Sequence, residues 1–127
     1  GVSIDRITRT INKSYWYGEE FIFNPKLMPV ESITHVITHI FFALPQLCKN
    51  DLIQEFSKED DKLILALDIE KKNVELLFNF IKEKGWDIEH LYFGHFHTDL
   101  DFIYEGIECS CIDMLYYRGK LSYKILN

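Results

Sequence analysis

Over residues 73–84 the apolar positions Val74, Leu77, Phe78 and Ile81 fall at i, i+3, i+4 and i+7, one stripe of a helix. Gly85 follows as the stop signal such a helix needs. Upstream, 33–42 is β-branched and apolar, which predicts a buried strand, and Pro45 ends it. Residues 88–93 predict a second strand, broken by Gly94. Beyond His97 the chain reads as short antiparallel strands. Glu105-Gly106 is a hairpin turn joining 102–104 to 107–112, and Arg118-Gly119 is a second turn ahead of 121–126. At the start, Val2 and Ile4 alternate with Ser3 and Asp5, predicting a short strand. Pro25 and Pro29 make 24–32 a loop or short capped helix, and the charged stretch 49–61 predicts an exposed loop with some helical character.

Composition narrows this to one α/β domain over 1–127, without repeats or a linker. The 127 residues are 47% hydrophobic, too apolar for a disordered chain. No apolar run approaches the ~18 residues of a membrane span, so no membrane partner is expected. Lys and Arg total 14 against 20 Asp and Glu, a net charge of −6. That balance opposes electrostatic wrapping of nucleic acid, which remains only as a substrate. Cys48, Cys109 and Cys111 are too few for a disulfide framework, and a reducing compartment is expected. Cys109 and Cys111, at i and i+2 of a strand, share a face as small buried hydrophobes. The opening residues lack the pattern of a signal peptide, so the expected location is cytoplasmic.

Candidate chemistry lies with the histidines. His35, His39, His95 and His97 stand at or near the ends of predicted strands. In Gly94-His95-Phe96-His97 the glycine allows a sharp turn directly after a strand. Neighbouring strand ends meet in an α/β sheet, so His39, His95 and His97 can converge on a metal with no local sequence cluster. His35 and His90, taken singly, read as ordinary strand histidines. Three imidazoles are fewer than the four ligands of a structural zinc, so the site is open or lacks ligands. Arg6, Arg9 and Lys13 form a basic cluster that contacts phosphate or forms salt bridges with Glu19 or Glu20. Tyr15, Trp16 and Tyr17 either stack on a substrate or line a core edge.

These segments, in this order, resemble the C-terminal half of the calcineurin-like metallophosphoesterases. Gly94-His95-Phe96-His97 is similar to that family's final Gly-His-x-His, and Val36-Ile37-Thr38-His39 to the lone histidine after a strand. The opening resembles the stretch between the third and fourth motifs: Gly1-Val2-Ser3-Ile4-Asp5-Arg6, then Arg9, Ser14-Tyr15-Trp16 and Glu19-Glu20. The resemblance runs intermittently over nearly the whole chain. The aspartate-x-histidine, Gly-Asp-x-x-Asp and Gly-Asn-His motifs have no counterpart here.

The resemblance implies the C-terminal half of a four-layer α/β/β/α sandwich, a mixed sheet with antiparallel strands at its C-terminal end. It implies two divalent cations (manganese, iron, zinc or nickel), His39 and His95 on one and His97 on the other. The activity it implies is hydrolysis of phosphate esters by a hydroxide bridging the two metals. Asp99, Asp101 or His90 would orient the ligand rings, and Arg6 and Arg9 would contact substrate. No catalytic acid falls within the chain; the resemblance puts the leaving-group acid upstream. The expectation is therefore a fragment, inactive alone, whose partners are a phosphorylated substrate and either the missing N-terminal half or a second copy covering an exposed sheet face. Two rival readings remain: a non-catalytic interaction module of the same fold, and a small protein with a structural zinc.

Overall fold

The computed structural model describes residues 1–3, 5–13, 18–43, 53–96 and 98–112, and the backbone of 52, 116–117 and 120–121. Along the chain lie α1 (Arg6–Ile11), a 3-10 turn (Pro25–Leu27), β1 (His35–Thr38), α2 (Leu52–Phe56) and α3 (Leu63–Lys84). Then follow β2 (His90–Phe93), β3 (Leu100–Tyr104), β4 (Ile107–Cys111), β5 (Tyr116–Tyr117) and β6 (Lys120–Leu121).

The helix expected over 73–84 is the second half of α3, which runs 22 residues. Its buried positions are Leu63, Leu67, Glu70, Val74, Leu77, Phe78 and Ile81, spaced three or four apart apart from the adjacent 77–78 pair. Gly85 ends it in the left-handed conformation, φ 65°, with its N–H returning to Lys82 O. A side chain there would be strained, which is why glycine is the stop.

α3 connects β1 to β2, and these strands pair in parallel with Val36 beside Leu91 and Thr38 beside Phe93. A parallel pair needs such a crossover, because a tight turn can only reverse the chain. β2 also pairs in parallel with β4, and β3 runs antiparallel to β4, giving the order β1-β2-β4-β3. The fold is mixed α/β around one four-stranded mixed sheet. The Glu105-Gly106 turn is as expected: both residues have positive φ, 48° and 83°, between the paired Tyr104 and Ile107. β5 and β6 pair across 118–119 as a separate two-stranded ribbon.

Register sorts the sheet into two faces. Val36, Leu91, Cys109 and Phe102 form one row and Thr38, Phe93, Cys111 and Leu100 another on the same face. Val36, Leu91, Phe93, Cys109 and Cys111 share a single core with the α3 stripe. Phe41 sits at its centre, fully buried, with ring centroids 5.3 Å from Phe78 and Tyr104 and 5.5 Å from Phe93. Both buried cysteines are free thiols on this face. Burial pushes the Cys109 thiol up to about 11, so it packs as a small neutral hydrophobe.

Two expectations are corrected. The Val2–Ile4 alternation forms no strand among its described residues. Val2 instead tucks fully buried against α3, where its N–H donates to Glu70 Oε2 at 2.9 Å. Residues 6–11, for which the hydrophobic pattern names no element, form helix α1, and none of its residues is buried. The strand expected over 33–42 covers only His35–Thr38, because the backbone bends from His39 onward. The 24–32 loop does hold its short capped helix: Asn24 Oδ1 accepts from Lys26 N at 3.0 Å. Asn73 pins the segment before it to α3 by accepting from Phe23 N at 2.9 Å. No helix among the described residues is long and apolar enough to cross a membrane.

Candidate functional site

The parallel pairing of β1 and β2 ends at Thr38 and Phe93, but the backbones stay joined one step further. Gly94 N donates to His39 O at 3.2 Å. His39 and His95 therefore leave the carboxyl ends of adjacent parallel strands side by side, where α/β sheets gather their functional groups.

The sharp turn after β2 is made by the histidine, not the glycine. Phe96 N donates to Gly94 O at 2.8 Å, closing a three-residue turn around His95, whose φ is 68°. Such a turn is rare and strained for a residue with a side chain. A Cβ on Gly94 would meet only Ile112 O, at an ordinary 3.6 Å. The expectation that Gly94 supplies the turn's freedom is thus overturned.

This backbone sets the two rings edge to face, with centroids 4.7 Å apart and planes at 77°. His39 Nε2 and His95 Nδ1 approach to 3.4 Å. That is long for a direct hydrogen bond. Two imidazole nitrogens each about 2.1 Å from one tetrahedral ion also stand about 3.4 Å apart. The pair fits two positions of a shared cation.

Behind His39 lies a charged residue that the sequence patterning overlooked. Glu70, on the core-facing stripe of α3, is wholly buried, and its Oε2 is 3.6 Å from His39 Nδ1. Burial pushes its carboxyl up, but His39, the Val2 N–H and nearby positive charge outweigh this and hold it below its ordinary value. Its Oε1 is buried with no hydrogen-bond partner among the described residues. Gly1 closes over both groups: a Cβ there would fall 2.1 Å from His39 Nδ1 and 2.7 Å from Glu70 Oε1. Gly1, Thr38, His39 and Glu70 face a cavity of about 500 Å³ that Glu19 and Glu20 also line. The signal for Glu70 was an acid in register with Leu63, Leu67, Val74 and Leu77, visible only once the helix begins at Leu63.

The other candidates lie elsewhere. His97 falls outside the described residues, as do Tyr15, Trp16, Tyr17 and Cys48. His90 occupies the opposite end of β2, roughly 10 Å of strand away. Its Nε2 meets Ser110 Oγ at 2.9 Å, its Nδ1 is 3.4 Å from Glu108 Oε2, and its ring stacks on Tyr92. Asp101 accepts from Ser110 Oγ at 2.6 Å on that same sheet face. The structure does not bring His90 or Asp101 to the imidazole pair. Asp99 is exposed just ahead of β3.

Arg6 grips Asp60 side-on along one guanidinium edge, Nε donating to Oδ2 and Nη2 to Oδ1 at 3.0 Å. It lines a second cavity, of about 560 Å³, together with Thr10, Glu20 and Lys62. Arg9 lies in the last turn of α1 and Lys13 is exposed two residues beyond it.

Among the described residues no three His, Cys, Asp or Glu side chains are grouped to hold a metal ion. The described donor set is therefore two imidazoles with a carboxylate behind one of them. No protein-family model, curated protein or solved structure matches the chain.

Proposed function

We propose that this chain supplies the C-terminal share of a two-cation phosphoesterase site, with His39 and His95 on one cation and His97 on the other. The 3.4 Å approach of His39 Nε2 to His95 Nδ1 carries the reading. The order of segments, resembling the calcineurin-like metallophosphoesterases, supports it. In this reading the four-stranded sheet is one half of a four-layer α/β/β/α sandwich. The other ligands and the leaving-group acid come from a further polypeptide segment.

Two divalent cations, when bound, would activate water and neutralise charge on the phosphoryl oxygens. The chain's own residues hold and orient. The parallel ladder and the Gly94–His39 hydrogen bond fix the spacing of the two ring carriers. The strained turn at His95 aims its ring across at His39. Imidazole is neutral as a ligand, so it leaves the cations' charge available to substrate.

The test is titration of the purified chain with cobalt(II), followed by its visible absorption and by calorimetry. The expected result is saturable binding that weakens at least about tenfold in both His39→Ala and His95→Ala, with no phosphate-ester hydrolysis by the chain alone. Absence of binding, or binding indifferent to both substitutions, overturns the proposal.

A further inference from the structure

We propose that Glu70 is a positioning residue. It holds His39 with the proton on Nδ1, so that the Nε2 lone pair faces His95. The inference rests on the metal-site reading only for what the lone pair binds; the arrangement of Glu70 and His39 stands without it.

Three observations converge. First, Glu70 sits where the α3 stripe calls for an apolar residue, and its side chain is 0% exposed. A carboxylate this deep is costly unless its partners hold it in place. Second, one oxygen serves two groups from different parts of the chain. Glu70 Oε2 accepts from Val2 N at 2.9 Å and stands 3.6 Å from His39 Nδ1, which is ion-pair range. Third, only the other ring nitrogen of His39, Nε2, is turned to His95. An imidazole whose Nδ1–H faces a carboxylate has its tautomer settled, and its Nε2 becomes the more basic donor to a metal. Tying the amino-terminal segment to α3 requires only the Val2 hydrogen bond; it does not require His39 to turn Nδ1 toward the same oxygen.

The experiment reads ring nitrogens directly. Long-range proton–nitrogen correlation spectra of the metal-free, nitrogen-15-labelled protein, taken above the imidazole titration range, report the tautomer of His39; the His39→Ala spectrum assigns it. The wild-type chain is expected to show Nδ1–H. Glu70→Gln, which keeps an acceptor oxygen, retains that tautomer, whereas Glu70→Ala loses it. In cobalt titrations Glu70→Ala weakens binding about ten- to hundredfold and Glu70→Gln less. In a His39→Ala background, Glu70→Gln has no further effect.

A wild-type His39 carrying its proton on Nε2 overturns the inference, and that reading needs no variant to fold. So does an unchanged tautomer in a folded Glu70→Ala protein. If the wild type binds no cobalt, the metal reading fails, while the tautomer spectra still decide the role of Glu70.

Discussion

The amide of Gly94 donates to the carbonyl of His39 at 3.2 Å, one step past the last paired residues of β1 and β2. This bond makes the backbone, rather than either side chain, responsible for the nearness of the two imidazoles. It also forces the chain to turn at once after Gly94, and the turn falls on His95 at φ 68°.

A left-handed residue with a Cβ is strained, and glycine is not. His95→Gly should therefore be more stable than His95→Ala by about 1 kcal/mol, since both lack the ring and only alanine keeps the Cβ. Urea denaturation of the two variants checks this. Equal midpoints would mean that the backbone relaxes out of the turn once the ring is gone.

Gly1 makes a second steric prediction. A Cβ there would fall 2.3 Å from His39 Cγ, closer than any packed pair of carbons tolerates. The half-exposed ring is the part free to move, its side chain being 37% exposed. Gly1→Ala should swing it away from His95 and weaken cobalt binding about tenfold or more. Binding equal to wild type would show that Gly1 does not cover the ring.

The pair of Arg6 and Asp60 governs acid stability. The Arg6 guanidinium, by hydrogen bonding above all, holds the Asp60 carboxyl below its ordinary 3.8, with the Lys62 N–H assisting against burial. A depressed folded pKa means that the unfolded chain takes up the proton first, so stability falls as pH falls. The contribution is complete above about pH 5, declines through the ordinary value and is gone below the folded one. Asp60→Asn should cost about 1–3 kcal/mol at neutral pH and remove this part of the acid dependence. Thermal melts from pH 7 down to pH 3 measure both.

Cys109 offers a chemical test of the core. With its thiol near 11 and its side chain buried, it carries almost no thiolate at neutral pH. In a Cys48→Ser background, neither Cys109 nor Cys111 should react with a disulfide reagent until denaturant is added. Rapid labelling of the native protein would show that the helix-covered face of the sheet opens.

Much of this fold was legible in the chain because its signals are strong and local. Val74, Leu77, Phe78 and Ile81 repeat at helical spacing ahead of a glycine, and Glu105-Gly106 suits two positive φ values. The first half of α3 was harder to see. Leu63, Ile64, Leu65 and Ala66 are apolar on every side, and Glu70 breaks the stripe where it would otherwise be clearest. The two-residue alternation at Val2 misled because Val2 is buried by a helix, not by strand neighbours. In the site, the meeting of His39 and His95 was legible from strand ends alone. Which residue takes the left-handed turn was not, because that depends on the hydrogen bond between Gly94 and a residue far away in the chain. Glu70 was invisible for a related reason: its partners, Val2 and His39, become neighbours only after α3 folds back across the sheet.

His39 and His95 are 56 positions apart in sequence, and the whole of α3 lies between them. Their encounter is thus a long-range event, for which a large loop must close before any contact rewards it. A spectroscopic ion caught between the two rings would serve as a stopwatch for that closure, marking the moment when the crossover locks and separating it from the earlier growth of helix alone.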